Sequence, residues 1–251
     1  MHLRARFAPT ERPVGSPSST NVLLDQLPEA DRARLTSHGS RQDVQPGTIL
    51  VDIGDILDAL YFPLSGLVSV EQVGGLEVTV AGREGMFGWS AIAALPTSPY
   101  RAVVRDCGGV VLRIPLAAVH RALAESEALH TMLWRYLCGI VMQAAEATAA
   151  HSLQRVEARV SRWLLIRHDR IGGDIMLTQH DQIAANIGAR RASVTDCLHI
   201  LEGEGDIRCR RGRILIRNRA ALEAKANGCY GIGEAHYRSC FGPFGKSAAA
   251  T

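Results

Sequence analysis

Short apolar runs separated by glycine-containing turns fill much of the first half of the chain. After a helical segment from Asn21 to about Arg41, these runs begin at Val44 and end at Pro115. They cover residues 48–51, 59–62, 67–70, 78–80, 102–104 and 110–114. Many short strands at nearly regular spacing, with glycine at the turns, are typical of a small antiparallel barrel or jelly roll. The pattern therefore predicts an N-terminal β-domain.

From Leu116 onwards the apolar spacing becomes that of helices. The longest helical segment runs from Glu127 to about His151, roughly 37 Å at ~1.5 Å per residue. Its stripe at spacings of three and four residues predicts a subunit seam, with packing on its own barrel as the alternative. The stripe consists of Leu133, Leu137, Ile140, Val141, Ala144 and Thr148. A further helix from Val156 to Asp169 follows, with a hinge expected near residues 150–155.

Residues 177–201 carry two short helical patterns joined by Gly188. Thr178 and Asp181 have the spacing of a capping box, which predicts the start of the first helix. Both helices have an apolar side, formed by Ile183, Ala184 and Ile187 in the first and by Val194, Leu198 and Leu201 in the second. The opposite side of the second helix exposes Arg190, Arg191, Ser193, Thr195 and Asp196. Such a helix suits insertion into the major groove of DNA, so this stretch predicts a helix-turn-helix.

A basic hairpin follows the helix pair. Two strand patterns, 206–210 and 213–217, flank a turn at Arg211-Gly212, and isoleucines alternate with arginines along them. The arginines are Arg208, Arg210, Arg211, Arg213, Arg217 and Arg219. Behind a helix pair, a basic hairpin predicts a wing that contacts the phosphate backbone. The alternative is a solvated edge strand whose charges prevent aggregation.

Length and charge agree with two domains, one of them basic. The chain has 251 residues and a formal net charge of +3. Residues 1–154 carry 12 Lys/Arg and 15 Asp/Glu, whereas residues 155–225 carry 14 and 9. The positive excess coincides with the helix pair and the hairpin, as a DNA-binding surface requires. The sequence contains no run of 18 apolar residues, so it predicts no membrane span. The Pro/Ser-rich residues 1–20 predict a disordered leader.

The residue pattern gives little support for a metal site or an enzyme active site, so no metal and no cofactor are predicted. The six cysteines are widely spaced, which argues against an iron–sulfur cluster and favours reduced thiols. Cys229, His236 and Cys240 lack a fourth partner for zinc, and haem ligation by His120 or His130 is a minor alternative. A metalloenzyme of the cupin type needs histidines on its strands, yet none occurs between Gly39 and Val119. The pattern therefore favours a protein that is not an enzyme.

A β-roll, a long helix and a winged helix-turn-helix, in this order, resemble the Crp/Fnr family of bacterial transcription regulators. The resemblance covers about residues 21–230 and is most specific in residues 156–170, 188–207 and 211–223, with a further part at 61–70. It implies an α+β fold with an antiparallel β-roll or jelly roll like a cyclic-nucleotide-binding domain. The expected division is a leader (1–20), a sensor domain (21–126), a dimerisation helix (127–152), a DNA-binding domain (153–230) and a tail (231–251).

The resemblance also implies a function and site residues. We expect a cytoplasmic homodimer that reads a palindromic promoter in double-stranded DNA, with RNA polymerase as a further partner. Arg191 matches the family's main base-reading arginine and Ser193 its phosphate-contacting hydroxyl. Asp196 stands where some members have a basic base reader, and an acid cannot make that guanine contact. The full set of expected DNA contacts is Thr178, Gln179, Arg190, Arg191, Ser193, Thr195, Asp196, Arg211 and Arg213.

The effector pocket departs from the family pattern. Members that bind cyclic nucleotides have a Gly-Glu pair, followed about ten residues later by Arg and a small residue. Here the matching positions are Gly88-Trp89 and Arg101-Ala102, and no Asp or Glu occurs from Met86 to Tyr100. A nucleotide ribose would lack its charged acceptor, so we expect no cyclic-nucleotide binding and leave Arg101 as a weak candidate for an unknown effector. The alternative function is a small-ligand-binding β-barrel protein whose basic C-terminal domain binds other proteins, which salt-dependent duplex binding would distinguish.

Overall fold

The computed structural model describes residues 11–13, 20–93, 95–106 and 108–246. Its strands are β1 (Glu11–Pro13), β2 (Ser40–Val44), β3 (Ile49–Val51), β4 (Ala59–Pro63), β5 (Leu67–Glu71), β6 (Glu77–Ala81), β7 (Arg101–Arg105), β8 (Gly109–Pro115), β9 (Ile175–Leu177), β10 (Ile207–Arg210) and β11 (Arg213–Ile216). Its helices are α1 (Glu29–Thr36), α2 (Leu116–Glu125), α3 (Glu127–Leu153), α4 (Val156–His168), α5 (His180–Asn186), α6 (Arg191–Gly203), α7 (Arg219–Lys225) and α8 (Ile232–Phe241). No helix of this described part is long and apolar enough to cross a membrane.

Strands β1 to β8 form two antiparallel four-stranded sheets, with the orders β1-β2-β8-β4 and β3-β7-β5-β6. We call this pair of sheets the sandwich. Every residue of β4 and β5 is buried. Helix α2 packs on β4, and α3 packs on β6, which is the neighbour of β5 in its sheet. The predicted jelly-roll class is confirmed. The sequence pattern did not predict two of the strands. Strand β1 lies within the predicted disordered leader, and β2 has the polar sequence SRQDV. Backbone pairing with β8, rather than apolar alternation, makes Ser40–Val44 a strand.

Helix α3 turns one side to its own chain and leaves another exposed. Ser126 caps its start, accepting the Leu129 N–H at 3.0 Å. Leu133 and Ile140 are buried in the core shared with the sheets. The prediction that these two residues belong to an exposed seam is therefore wrong. The exposed residues at spacings of four and three are instead Trp134, Cys138, Val141, Ala145 and Thr148.

The C-terminal segment is a packed helix, not the loose tail predicted from residue 231. Both oxygens of the Glu146 carboxylate accept backbone N–H groups at the start of α8, from Ile232 at 2.9 Å and Gly233 at 3.2 Å. Tyr237 and Phe241 of α8 are buried in the core of the N-terminal domain. Their spacing of four residues is a helical signal, but it is too short to reveal the packing partner.

Helices α4 to α7 and strands β9 to β11 surround a second core. The predicted apolar sides of α5, α6 and the hairpin are all buried in it: Ile183, Ala184, Ile187, Val194, Leu198, Leu201, Ile207, Ile214 and Ile216. Helix α5 begins one residue later than a capping box at Thr178 requires. Its N-cap is Gln179, and no side-chain hydrogen bond caps it. The prediction of a capping box is therefore wrong.

Polar contacts fix the second domain against the sandwich. The Arg167 guanidinium, fully buried, donates to both oxygens of Glu77 at 2.8 and 2.6 Å. Asn186 of α5 donates to Glu71 at 3.1 Å, and Arg170 donates to Glu84 at 2.8 Å. These bonds join α4, the turn after it and α5 to β5, β6 and the turn after β6. They hold the helix-turn-helix in one orientation across the break between α3 and α4.

Candidate nucleic-acid interface

Helices α5 and α6 are set against each other by a tight glycine turn. Gly188 has a φ of +59°, a left-handed conformation that favours glycine. A Cβ at this position would also approach the Leu76 side chain to 3.3 Å. The turn lets α6 pack Val194 and Leu198 inward while its N-terminal turn remains at the surface. This is the arrangement that the sequence predicted for a helix-turn-helix.

The start of α6 exposes polar side chains that α5 holds in position. Arg190 is the N-cap residue and is exposed. Arg191 is exposed and forms an ion pair with Asp181 of α5, with Nε 3.1 Å from Oδ1. The half-buried hydroxyl of Thr195 lies 2.9 Å from Nδ1 of His180. Asp181 and His180 thus orient two of the predicted contact residues, a role that the sequence pattern did not reveal.

The remaining predicted residues of the helix pair differ in accessibility. Ser193 is half-buried, while Asp196 and Gln179 are exposed. Thr178 is buried with 6 % of its surface exposed, and its N–H already donates to the Gly212 carbonyl at 3.1 Å. Thr178 is thus little accessible, and its expected contact with DNA stays a prediction. Its backbone ties the hairpin turn to the start of α5.

The wing, formed by β10, β11 and the turn Arg211-Gly212, exposes an array of guanidinium groups. Arg210 and Arg213 pair directly across the hairpin. Within the described residues, none of the five exposed arginines forms an ion pair; they are Arg208, Arg210, Arg211, Arg213 and Arg217. Arg219 belongs to the interior instead, where it pairs with Asp169 at 2.9 Å. The positive charge of the wing is thus available to an anionic partner.

An open groove of about 400 Å³ joins the wing to the helix pair. Gln179, His180 and Asp181 line one side of it, and Arg191 lies beside them. The arginines of the hairpin line the other side, namely Arg210, Arg211 and Arg213. A phosphate backbone contacting this groove would meet guanidinium groups while α6 faces base edges. The geometry therefore unites most of the predicted DNA contacts on one surface.

The two residues at the expected effector positions of the sandwich, Trp89 and Arg101, are both engaged by other side chains of the chain. Trp89 packs edge-on against Phe87, with ring centroids 5.8 Å apart, and lies 6.2 Å from the Tyr100 ring. The Arg101 guanidinium donates to both carboxylate oxygens of Asp52, at 2.9 and 3.2 Å. This ion pair holds Arg101 at the barrel surface, 44 % of its side chain being exposed.

The thiols and histidines of the described residues form no metal site. No three His, Cys, Asp or Glu side chains of this part converge as metal ligands. Burial raises the pKa of Cys197 to about 12 and that of Cys209 to about 11. Both groups are therefore neutral thiols at physiological pH, and neither has the reactivity of a thiolate.

Two protein-family models match the chain. A cyclic nucleotide-binding domain model matches residues 41–126, and a Crp-like helix-turn-helix domain model matches residues 158–225. Together they cover more than half of the sequence. Among curated proteins, no relative matches this chain.

Several solved structures share the fold. FixK2 from Bradyrhizobium japonicum has 16% sequence identity and a TM-score of 0.64, over 74% of this chain and 96% of its own. TTHB099, a regulator of the CRP family from Thermus thermophilus, has 22% identity and a TM-score of 0.62, over 75% and 96%. The c-di-GMP-responsive regulator CLP of Xanthomonas campestris has 16% identity and a TM-score of 0.63, over 75% and 99%. At these identities the likeness shows the fold alone.

Proposed function

Since the chain belongs to the Crp/Fnr family of DNA-binding transcription regulators, we propose that it reads a palindromic promoter site as a homodimer. One α6 helix from each subunit would enter the major groove of one half-site. The observation that carries this proposal is the continuous surface of exposed arginines formed by the wing and the first turn of α6. DNA supplies the matching phosphates, and its base edges lie within reach of a helix in the groove.

The roles of the contact residues follow from their positions. Arg191, in the first turn of α6, reads a base edge, and Arg190 lies beside it. Ser193, Thr195 and the exposed Gln179 contact phosphate or sugar. Arg211 and Arg213 flank the hairpin turn and supply affinity for the backbone without selecting sequence.

Dimerisation would use the exposed side of α3. Trp134 and Val141 expose 66 and 68 % of their surfaces, a large apolar exposure for two residues on one helix. With Cys138, Ala145 and Thr148 they follow the spacing of four and three residues that two-stranded helix packing requires. A two-fold axis along this line would give the dimer two symmetry-related α6 helices, which suits a palindrome.

The remaining assignments are part of the same proposal. The sandwich and α2 act as the sensor domain, α3 as the dimerisation helix, and residues 153–230 as the DNA-binding domain. The protein works in the cytoplasm, where it meets the chromosome and RNA polymerase, and has no catalytic role. We propose no cyclic nucleotide as its effector, since Trp89 stands at the sequence position of the family's carboxylate and Asp52 holds Arg101.

Selection of duplexes from a random pool by the purified full chain tests this function. We expect an inverted-repeat motif, bound with an affinity that falls steeply as salt concentration rises, because each neutralised phosphate releases counterions. The same complex should contain two copies of the chain in analytical ultracentrifugation. Recovery of no motif, together with salt-independent binding, would overturn the proposal and favour a protein partner for the basic domain.

A further inference from the structure

The line of α6 that faces directly away from the core carries a carboxylate. Helical positions advance by about 100° each, so residues spaced by four and three share a line. Val194, Leu198 and Leu201 form the buried line. The opposite line consists of Ala192, Asp196 and His199, and all three are exposed. Asp196 therefore lies at the centre of the helix side that would face the major groove of DNA.

Nothing in the described part of the chain neutralises Asp196. Its carboxylate forms neither an ion pair nor a side-chain hydrogen bond with these residues. The other carboxylate of this surface, Asp181, is paired with Arg191. An unpaired anion on a surface that binds a polyanion opposes binding through charge repulsion. The repulsion is offset only where the carboxylate accepts hydrogen bonds from DNA.

The major groove offers few donors for such a bond. Its only amino donors are N4 of cytosine and N6 of adenine, whereas guanine and thymine present acceptors. Adenine carries the N7 acceptor beside its amino group, which repels a second carboxylate oxygen. Cytosine carries no acceptor on its own major-groove edge. A carboxylate at this position therefore discriminates most strongly in favour of cytosine.

We propose that Asp196 is a specificity-determining residue that selects cytosine at one position of each half-site. The inference rests on the proposed function and names the base chemistry that α6 reads. The small side chain of Ala192, one turn earlier on the same line, leaves room for α6 to approach the base edges. Charge repulsion then excludes guanine and thymine at that position, so Asp196 acts by rejection as well as by attraction.

Duplex selection with four full-length proteins tests the proposal. They are the wild type, Asp196→Asn, Asp196→Ala and the control Asp43→Asn, which removes one exposed carboxylate from β2. The wild type and the control should select the same motif, with one cytosine per half-site. Asp196→Asn should change that base to adenine, because an amide pairs with both N6 and N7. Asp196→Ala should lose the preference at that position and bind scrambled duplexes more tightly.

Affinities for duplexes that differ only at the identified base pair give the magnitude. We expect the wild type to favour cytosine about 5- to 150-fold, the range of one good base contact. Identical motifs from all four proteins would overturn the role of Asp196 while leaving the proposed function intact. Failure of the wild type to select any motif would instead overturn the proposed function. Because Asp196 is exposed, thermal melting should confirm that both variants fold.

Discussion

Arg191 and Arg211 are both exposed, but they occupy different parts of the interface. Arg191 lies in the first turn of α6, where a long side chain reaches a base edge and pairs with guanine through two donors. Arg211 lies in the turn of the wing. In the proposed complex this turn would lie beside the phosphate backbone of the DNA. In the proposed complex Arg191 would therefore supply specificity and Arg211 affinity.

Replacing Arg191 by alanine should cost ~1–3 kcal/mol per half-site and relax the sequence preference at one operator position. Arg211→Ala is the matched control; it should weaken specific and scrambled duplexes alike and reduce the salt dependence by about one phosphate contact. Titrations of both duplexes across a salt series measure the difference. If Arg191→Ala lowers both affinities equally and keeps the operator preference, Arg191 is not a base reader.

Glu234 of α8 is a buried carboxylate with only a distant ion-pair partner among the described residues. Neither oxygen has a hydrogen-bond partner in the described part of the chain, and the nearest Arg170 nitrogen is 4.0 Å away. Burial, the main cause, raises the pKa of Glu234 above its usual value. The ionised form therefore costs stability at neutral pH, and this cost disappears as the pH falls below the raised pKa.

Glu234→Gln should accordingly stabilise the protein at pH 7. Relief of ~1–3 kcal/mol, at about 2–4 °C per kcal/mol for a chain of this size, predicts a clear rise in melting temperature. The gain should shrink in acid, where the wild-type carboxyl is already protonated. The surface variant Asp43→Asn should show no such gain. A melting temperature that falls at pH 7 would mean that the charge of Glu234 stabilises Arg170.

At the scale of elements, α3 packs on its own domain with one side and would form the proposed subunit contact with the other. Its buried side completes the core of the sandwich, and its other side exposes Trp134 and Val141. Because Val141 is exposed, a charge there should leave the subunit folded and act only between subunits. Leu137 is half-buried, so Leu137→Glu would also disturb the fold.

Val141→Glu should produce monomers with weak affinity for DNA, since two like charges would face each other across the two-fold axis. Ala235→Glu adds the same charge to an exposed position of α8 and should remain dimeric. Sedimentation velocity distinguishes the two species. A Val141→Glu protein that still sediments as a dimer would place the subunit contact elsewhere.

Cyclic nucleotides should not bind to the sandwich and should not raise the stability of the protein. Trp89, whose ring packs against Phe87, stands at the sequence position of the carboxylate that the resemblance implies, and Arg101 is bound to Asp52. A binding nucleotide at 100 times its dissociation constant would add ~2.7 kcal/mol of stability. We therefore expect no change of melting temperature with cyclic AMP or cyclic GMP. A saturable rise with either nucleotide would contradict this prediction.

At the scale of the whole molecule, Glu77 and Arg167 connect the sandwich to the DNA-binding domain. Both side chains are buried, at 9 and 0 % exposure. Burial acts to raise the pKa of Glu77, but the charge and hydrogen bonds of Arg167 outweigh it, so the pKa lies below its usual value. For a depressed carboxyl pKa, the contribution to stability is complete above the unfolded-state pKa and is lost as the pH falls through the folded-state pKa.

Glu77→Gln would leave the Arg167 guanidinium buried without its anion, at a cost of ~3–5 kcal/mol. We expect a lower unfolding midpoint in urea and a weaker loss of stability between pH 5 and pH 3 than the wild type shows. Glu29→Gln, at a mostly exposed ion pair on α1, is the control and should change little. An unchanged midpoint for Glu77→Gln would mean that this ion pair does not stabilise the domain contact.

The periodicity of the chain was sufficient to predict most elements. Short apolar runs between glycine turns located six of the eight strands of the sandwich, and spacings of three and four residues located α3 to α6 and the buried sides of α5 and α6. The strands β1 and β2 were missed because backbone pairing stabilises them, β1 with β2 and β2 with β8. A local pattern cannot show a pairing partner that is distant in sequence. The capping box at Thr178 was misjudged because the hairpin turn takes its N–H.

The amino-acid sequence by itself determined the fold class, the helix pair and the basic hairpin, since these depend on periodicity, turn residues and local charge. Only the tertiary structure decided which side of α3 faces its own core and where α8 packs. It also decided which charges remain unpaired: Arg219 and Arg167 are neutralised inside, whereas the wing arginines are not. Burial and ion pairing depend on residues brought together from distant parts of the chain. That information exists only once the chain has folded.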